Sequence, residues 1–272
     1  LTSDGTFYSS ERLRRAFEER GCPVTLLDPA RSPVPGERFD LVVPRLGSRF
    51  FSTSLAFLER VVARGSKSAA NPAALGRVRR KSSVLLAALP GPARPAPSEL
   101  LRQDEDLPAA LERLGGLPLV AKPDIGTQGI GVAALHDASS LKAYVRTLAA
   151  WDEDTLLQPL LRDMRDIRCL VIGDRVPASV SRTPAPDDFR ANVHRGASAR
   201  LLAPGGPWEE AAVALARHVG LEIAGIDFLE NRGELLLMEI NASPGLRGIE
   251  SASRLDLAGQ IADHCIRCFL ES

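Results

Sequence analysis

The stretch from Gly225 to Gly245, GIDFLENRGELLLMEINASPG, constrains this chain more than any other. Ile223 to Glu230 and Glu234 to Ile240 are apolar, strand-like runs, and Asn231-Arg232-Gly233 between them has the composition of a tight turn, so the spacing predicts a β-hairpin. A three-residue loop puts Glu239 opposite Gly225, on the face of Asp227 and one diagonal step from it, with Asn241 two residues further along. Oxygen donors converging from a rigid element suit a hard divalent cation such as magnesium, whose shell substrate phosphates complete. The same pattern also describes a solvated hairpin with two acids on its outer face. The hairpin alone does not separate the two.

The chain has 272 residues, enough for one large domain or two to three small ones, and needs no disulfide staples. Lys plus Arg and Asp plus Glu number 34 each, which removes a global basic field for nucleic acid, so a charged partner must be met locally. No apolar run approaches the roughly 20 residues of a membrane span, and the start lacks a basic segment followed by an apolar block. The expectation is a cytoplasmic protein with no membrane or nucleic-acid partner. Cys265 and Cys268 form a Cys-x-x-Cys pair in a helix-like segment, read as two small apolar residues on a helix face rather than a redox pair. Leu1 runs almost at once into Asp4-Gly5, so a strand before Leu1 is expected.

Taken in order, Ser9 or Ser10 caps a helix through Arg20, and strands follow at Val24 to Leu27 and Leu41 to Pro44, with an amphipathic helix over Thr53 to Arg64. Pro72 to Leu89 reads as one helix carrying Arg77, Arg79, Arg80 and Lys81, ended by a proline-rich segment that marks a hinge nearby. Asp106 caps a short helix to Leu114. Leu117 to Lys122 is a strand, and Gly126-Thr127-Gln128-Gly129-Ile130-Gly131 is a glycine-rich turn into a second strand, Val132 to Leu135. That turn joins two strands, so it is neither a Walker loop nor a dinucleotide loop, both of which open a helix. A glycine loop between antiparallel strands can fold over a triphosphate with its backbone N–H groups, or be only a turn. A helix over Asp137 to Leu148, a strand over Leu156 to Pro159, a hairpin about Gly173-Asp174, a cationic loop from Phe189 to Gly196, a helix over Pro207 to Val219 and a closing helix over Leu255 to Glu271 complete the pattern.

Lys122-Pro123 with the glycine loop, Asp166-Ile167-Arg168, Asn192-Val193-His194-Arg195-Gly196 and Met238-Glu239-Ile240-Asn241-Ala242-Ser243-Pro244-Gly245 come in the order of a known family. With Ser3-Asp4-Gly5-Thr6 and Pro44-Arg45-Leu46-Gly47 included, the chain resembles the RimK type of the ATP-grasp ligases along its whole length. The resemblance implies an α/β fold of three parts: an N-terminal domain over 1–73, a central subdomain over 74–157 and a C-terminal subdomain over 158–272. ATP lies between the last two. It implies ATP-dependent phosphorylation of a carboxylate and displacement of phosphate by an amine, with glutamate as the amine and a peptide or protein C-terminus, such as a ribosomal protein tail, as the acceptor. Homo-oligomers are expected, because relatives associate.

The resemblance also implies roles. Asp227, Glu239 and Asn241 match the metal ligands for two Mg2+ ions, Mn2+ being an expected substitute, and Glu239 bridges them. Lys122 and Lys81 match lysines on the phosphates, although exposed lysines are usually only solvated. Gly126, Thr127, Gln128 and Gly129 cover the triphosphate. Arg182 and Arg190-Ala191-Asn192 match groups that contact phosphate and stabilise the acyl-phosphate oxyanion. Adenine is expected against Leu157 to Leu161, ribose against Asp166. There the chain departs from its family: Gln158-Pro159-Leu160-Leu161 stands where Gln-Glu-aromatic-Ile is usual, so a carboxylate and an N–H are lost. Arg45, His194 and Arg195 are expected to read an acidic substrate. A ligase of small molecules and a nucleotide-binding protein without catalysis are the alternative readings.

Overall fold

The computed structural model describes residues 1–47, 50–126, 129–161, 163–184 and 198–271. Helix α1 (Tyr8–Glu18) buries Leu13, Ala16 and Phe17. Its expected serine cap is absent: Phe7 occupies the cap position, and Ser9 Oγ instead accepts from Leu246 N at 2.9 Å. Val24 to Leu27 is not a strand, although Leu27 O accepts from Thr2 N at 2.9 Å. Short parallel strands β1 (Leu41–Val42) and β2 (Lys67–Ser68) flank helix α2 (Phe51–Ala63).

The helix expected from Pro72 to Leu89 is two: α3 (Pro72–Arg79), capped by Asn71 Oδ1 on Ala73 N, and α4 (Lys81–Leu85). Arg80, at ψ 119°, breaks them apart. Strands β3 (Arg94–Pro95) and β4 (Glu99–Leu101) precede α5 (Leu107–Leu114), where Asp106 makes no side-chain cap. Then come β5 (Leu119–Pro123), β6 (Ala133–Leu135), α6 (Ala138–Ala149) and β7 (Thr155–Pro159). Here Asp137 does cap, accepting from Ser140 N. The rest is β8 (Arg165–Ile172), β9 (Arg175–Thr183), β10 (Ser198–Leu201), α7 (Pro207–Val219), β11 (Ile223–Asn231), β12 (Glu234–Asn241), α8 (Arg247–Ser253) and α9 (Leu257–Cys265). The closing helix thus starts at Leu257, where Asp256 caps it, and loosens into a π turn after Cys265; α8 was not expected.

Two sheets face each other across the molecule. An antiparallel one runs β4-β7-β5-β6 and packs Leu119, Ala121 and Leu157 against Leu107, Leu141 and Val145 of α5 and α6. The larger runs β10-β9-β8-β11-β12-β3, antiparallel except for β3 along β12. Period-two alternation assigns its faces. Cys169, Val171, Ala224, Ile226 and Phe228 pack with Ala211 and Leu215 of α7, in a core that also takes Leu75, Val84 and Leu85 from α3 and α4. Leu170, Ile172, Ala178 and Val180 pack the other way, against Leu13, Leu257 and Ile261. Further along that second face the alternation turns charged, to Asp166 and Arg168 on β8, Arg182 on β9 and Asp227 on β11. Helices cover the apolar half; the charged half is left to line a cleft of about 1420 Å³ between the sheets.

Candidate functional site

Turn and bulge together aim the acids of the hairpin. The loop is two residues, not three: Asn231 pairs with Glu234, and Arg232 and Gly233 carry φ of 49° and 88°, the left-handed pair a tight hairpin turn requires. That register alone would set Met238 opposite Asp227 and turn Glu239 to the other face. A bulge at Asp227/Phe228 absorbs the extra residue, so Asp227 pairs with Glu239 and Gly225 with Asn241. Asp227, Glu239 and Asn241 share one face as expected, but Glu239 lies directly opposite Asp227 rather than on the diagonal. Gly225 admits the next loop, since a Cβ there would come within 2.9 Å of Pro244 Cβ. Asn241 Oδ1 accepts from Ser243 N at 2.8 Å, which pins that loop.

Asp227 is 6% exposed and ion-paired twice. Arg168 Nε and Nη2 donate to its two oxygens at 2.7 and 2.6 Å, and Arg182 Nη2 lies 3.4 Å from Oδ2. Arg182 Nε donates to Asp166 Oδ1 at 2.5 Å. Burial works against the Asp227 anion, yet the Arg168 and Arg182 charges outweigh it and hold the carboxyl below its usual range. For Asp166 burial wins over Arg182 and the carboxyl is pushed up. Arg182 is itself held above the guanidinium range: burial opposes its charge, but Asp227 and Asp166 prevail. The expected ribose partner, Asp166, is thus already engaged by the expected oxyanion cation.

The donor set fits a hard ion. Among the described residues no group of three His, Cys, Asp or Glu gathers as a metal site. Two carboxylates and the Asn241 amide leave room for phosphate and water oxygens, as magnesium prefers. Arg168 occupies one lone pair on each Asp227 oxygen and Arg182 also faces Oδ2, so it is Oδ1 that keeps a lone pair for a cation.

Lys122 comes from the opposite wall, and Lys81 from the helix that joins the two sheets. Lys122, on β5, is 8% exposed, and burial lowers its pKa to about 8 although Glu239 works to raise it. Lys81, first residue of α4, puts Nζ 4.0 Å from Glu239 Oε1 and 3.3 Å from Gly126 O. Neither is a solvated surface lysine. Gly126 and Gly129 line the same cleft, and Gly129 takes φ 69°. Gly131 at φ 75° lies so close to Pro123 that a Cβ would sit 2.9 Å from its Cγ.

At the expected adenine segment, Gln158, Pro159 and Leu160 also line the cleft. Gln158 Nε2 donates to Ser98 Oγ at 2.8 Å. Two backbone donors of this segment are already engaged: Leu160 N donates to Pro118 O and Leu161 N to Pro159 O. Arg45 closes the far end, donating from Nη2 to Pro244 O at 2.6 Å. Burial lowers its pKa to about 10. Thr127, Gln128, Arg190, Ala191, Asn192, His194 and Arg195 lie outside the described residues.

Two residues, one in the cleft and one buried behind it, were missed in the sequence. Arg168 follows Asp166 at strand period two, and that spacing was the available signal. Asp124 shows no local sign, for its partners lie 42 residues away.

A glycine turn and Lys122 on one sheet, with Lys81 on the helix between the two, facing paired carboxylates and guanidiniums on the other sheet, define an ATP-grasp ligase. A family model described as the RimK-like ATP-grasp domain matches residues 77–265. The chain is 34% identical over 281 residues to a probable alpha-L-glutamate ligase of Serratia proteamaculans, covering 97% of this chain and 93% of that one. It is 36% identical over 279 residues to the ribosomal protein bS6–L-glutamate ligase of Escherichia coli K12, covering 96% and 92%. A solved structure of the ATP-grasp ligase PsnB with a phosphomimetic variant of its minimal precursor, Mg and ADP has a TM-score of 0.70 at 22% identity, over 98% of this chain and 96% of that one, a likeness of fold. The chain belongs to the RimK-like ATP-grasp family. It is an ADP-forming carboxylate–amine ligase, of a family that works with ATP and Mg2+.

Proposed function

We propose that this ligase adds L-glutamate to the C-terminal carboxylate of a protein or peptide, a ribosomal protein tail being the acceptor class that the glutamate-ligase relatives suggest. The acceptor carboxylate attacks the γ-phosphorus of ATP, giving an acyl phosphate and ADP. The amine of glutamate then attacks the acyl carbon, inorganic phosphate leaves with the bonding pair, and the amine proton passes to water or phosphate. Asp227, Glu239 and Asn241 would hold Mg2+, which would supply charge neutralisation at the phosphate oxygens.

Lys122 and Lys81 meet the phosphates from the side of β5 and α4. Arg182, kept charged by Asp166 and Asp227, offers a fixed guanidinium to the charge that builds on the acyl-phosphate oxygens. Arg45, half-buried with no carboxylate partner among the described residues, suits a substrate carboxylate at the far end of the cleft. The observation that carries this reading is the pairing of Asp227 with Glu239 across from Lys81 and Lys122 in one cleft. The test incubates the protein with ATP, magnesium, each of twenty amino acids and candidate acceptors, following ADP and product mass. Glutamate addition is the expected product. Preference for lysine or an apolar amino acid overturns the glutamate assignment, and joining of two free amino acids overturns the polypeptide acceptor.

A further inference from the structure

Asp124 is fully buried, yet nothing in the chemistry above uses it. It lies on the loop after β5, two residues beyond Lys122 and two before Gly126. Oδ1 accepts from Ser82 N at 2.8 Å, and Oδ2 accepts from Ser82 Oγ at 2.9 Å and Arg80 Nη1 at 3.1 Å. Its backbone oxygen accepts from Lys81 N at 3.2 Å and faces Lys81 Nζ at 3.5 Å. A carboxylate from one sheet therefore caps the helix that begins with Lys81, while that helix packs Val84 and Leu85 into the core of the other sheet. Arg80 has no side-chain cap of its own to offer α4. An ion network widens the joint: Arg80 Nη1 also lies 3.5 Å from Asp154 Oδ2, Arg102 Nε lies 3.1 Å from Asp154 Oδ1, and Asp124 N donates to Asp154 O.

We propose, resting on the reading of the cleft as an ATP site, that Asp124 is a positioning residue: by capping α4 it clamps the two sheets together at one point and sets Lys81 Nζ over the phosphates beside the root of the glycine loop. Asp124 does not line the cleft, so its effect on nucleotide must pass through Lys81, whose helix it caps. A helix start held by a carboxylate of a different sheet ties the geometry of the lysine to the closure of the sheets, which local capping from Arg80 or Asn71 could not do.

The test is a double-mutant cycle on the affinity for Mg–ATP, measured by calorimetry without acceptor or amino acid. Asp124→Ala should weaken Kd about tenfold or more, as loss of a supporting hydrogen-bond shell typically does. In a Lys81→Met background the same change should add less than about twofold, because its route is already cut. Asp124→Asn, which keeps an oxygen for Ser82 N–H, should stay within about threefold of wild type. An unchanged Kd in folded Asp124→Ala, or a full additive loss in the Lys81→Met background, overturns the proposal. If Asp124→Ala does not fold, Asp124→Val fills the volume without accepting the bond and is held to the same expectations. Wild-type protein that binds no Mg–ATP overturns the reading of the cleft itself, whereas binding that depends on Lys81 but not on Asp124 overturns only the clamp.

Discussion

The two walls of the cleft are charged in opposite styles. The wall on the six-stranded sheet presents Asp166, Arg168, Arg182 and Asp227 from neighbouring central strands, each locked to another by an ion pair of 2.5 to 2.7 Å. Facing it stand Lys122 from the four-stranded sheet and Lys81 from α4, the helix that joins the two sheets, with Glu239 Oε1 4.0 Å from Lys81. One wall satisfies its charges internally and holds them rigid. The other holds cations under-compensated, and the depressed pKa of Lys122 is the sign of that. Electrostatic preorganisation belongs where charge builds at the reacting atom, and unsatisfied cations belong where an anionic ligand completes them.

Each prediction strains one side of that contrast. Glu239→Ala removes the acid that both walls share, and ADP release should fall by about a thousandfold or more, to background. An unchanged rate would refute the metal site. Arg182→Ala unpins the rigid wall, leaving Asp166 and Asp227 buried with one cation fewer. Stability should drop by about 3–5 kcal/mol in urea unfolding, with kcat falling about a hundredfold for protein that remains folded.

The lysine wall should answer to pH instead. Lys122 is charged below about 8 and loses its proton above it, so ATP affinity should weaken as pH rises from 7 to 9, and binding near pH 9 should take up a proton that calorimetry in two buffers can count. Because its folded pKa lies below the model-peptide value of 10.5, the unfolded chain binds more protons between those limits, and Lys122 makes the unliganded protein more stable as pH climbs through that window. Lys122→Met should abolish both dependences. Smallest is Gly225→Ala: its methyl meets Pro244 at 2.9 Å, and overpacking there should destabilise by about 1–3 kcal/mol while leaving Lys122 titration unchanged. A shift in that titration would show that the walls are not independent.

Much of the rigid wall was legible as residues but not as geometry. Asp227, Glu239, Asn241 and Arg182 stand in strand-period patterns with a turn between, and period two is a property of the backbone that sequence displays directly. The shared face of Asp227 and Glu239 was expected for the wrong reason: an assumed three-residue loop has the same parity as the real two-residue loop plus bulge. Helices α6 and α7 were legible because apolar periodicity and a cap or an N-terminal proline agree there. The break at Arg80 was not, since nothing in Arg79-Arg80-Lys81-Ser82 disfavours a continuous helix. A buried carboxylate from beyond β5 decides it by capping the second helix. The supposed strand at Val24 failed for a related reason, because strand propensity without a partner ladder makes no strand.

What the sequence determined by itself is local: the period of each strand, a tight turn within Asn231-Arg232-Gly233, the glycines between β5 and β6, and the order of motifs by which the family was recognised. Only the tertiary structure decided the bulge that aims Glu239, the bidentate grip of Arg168 on Asp227, the loss of free donors at Leu160 and Leu161, and the capping of Lys81's helix by Asp124. The grip of Arg168 on Asp227, the engagement of Leu160 N by Pro118 O and the cap from Asp124 join residues 42 or more positions apart, and such pairings are selected by the packing of whole sheets rather than by the propensity of any segment.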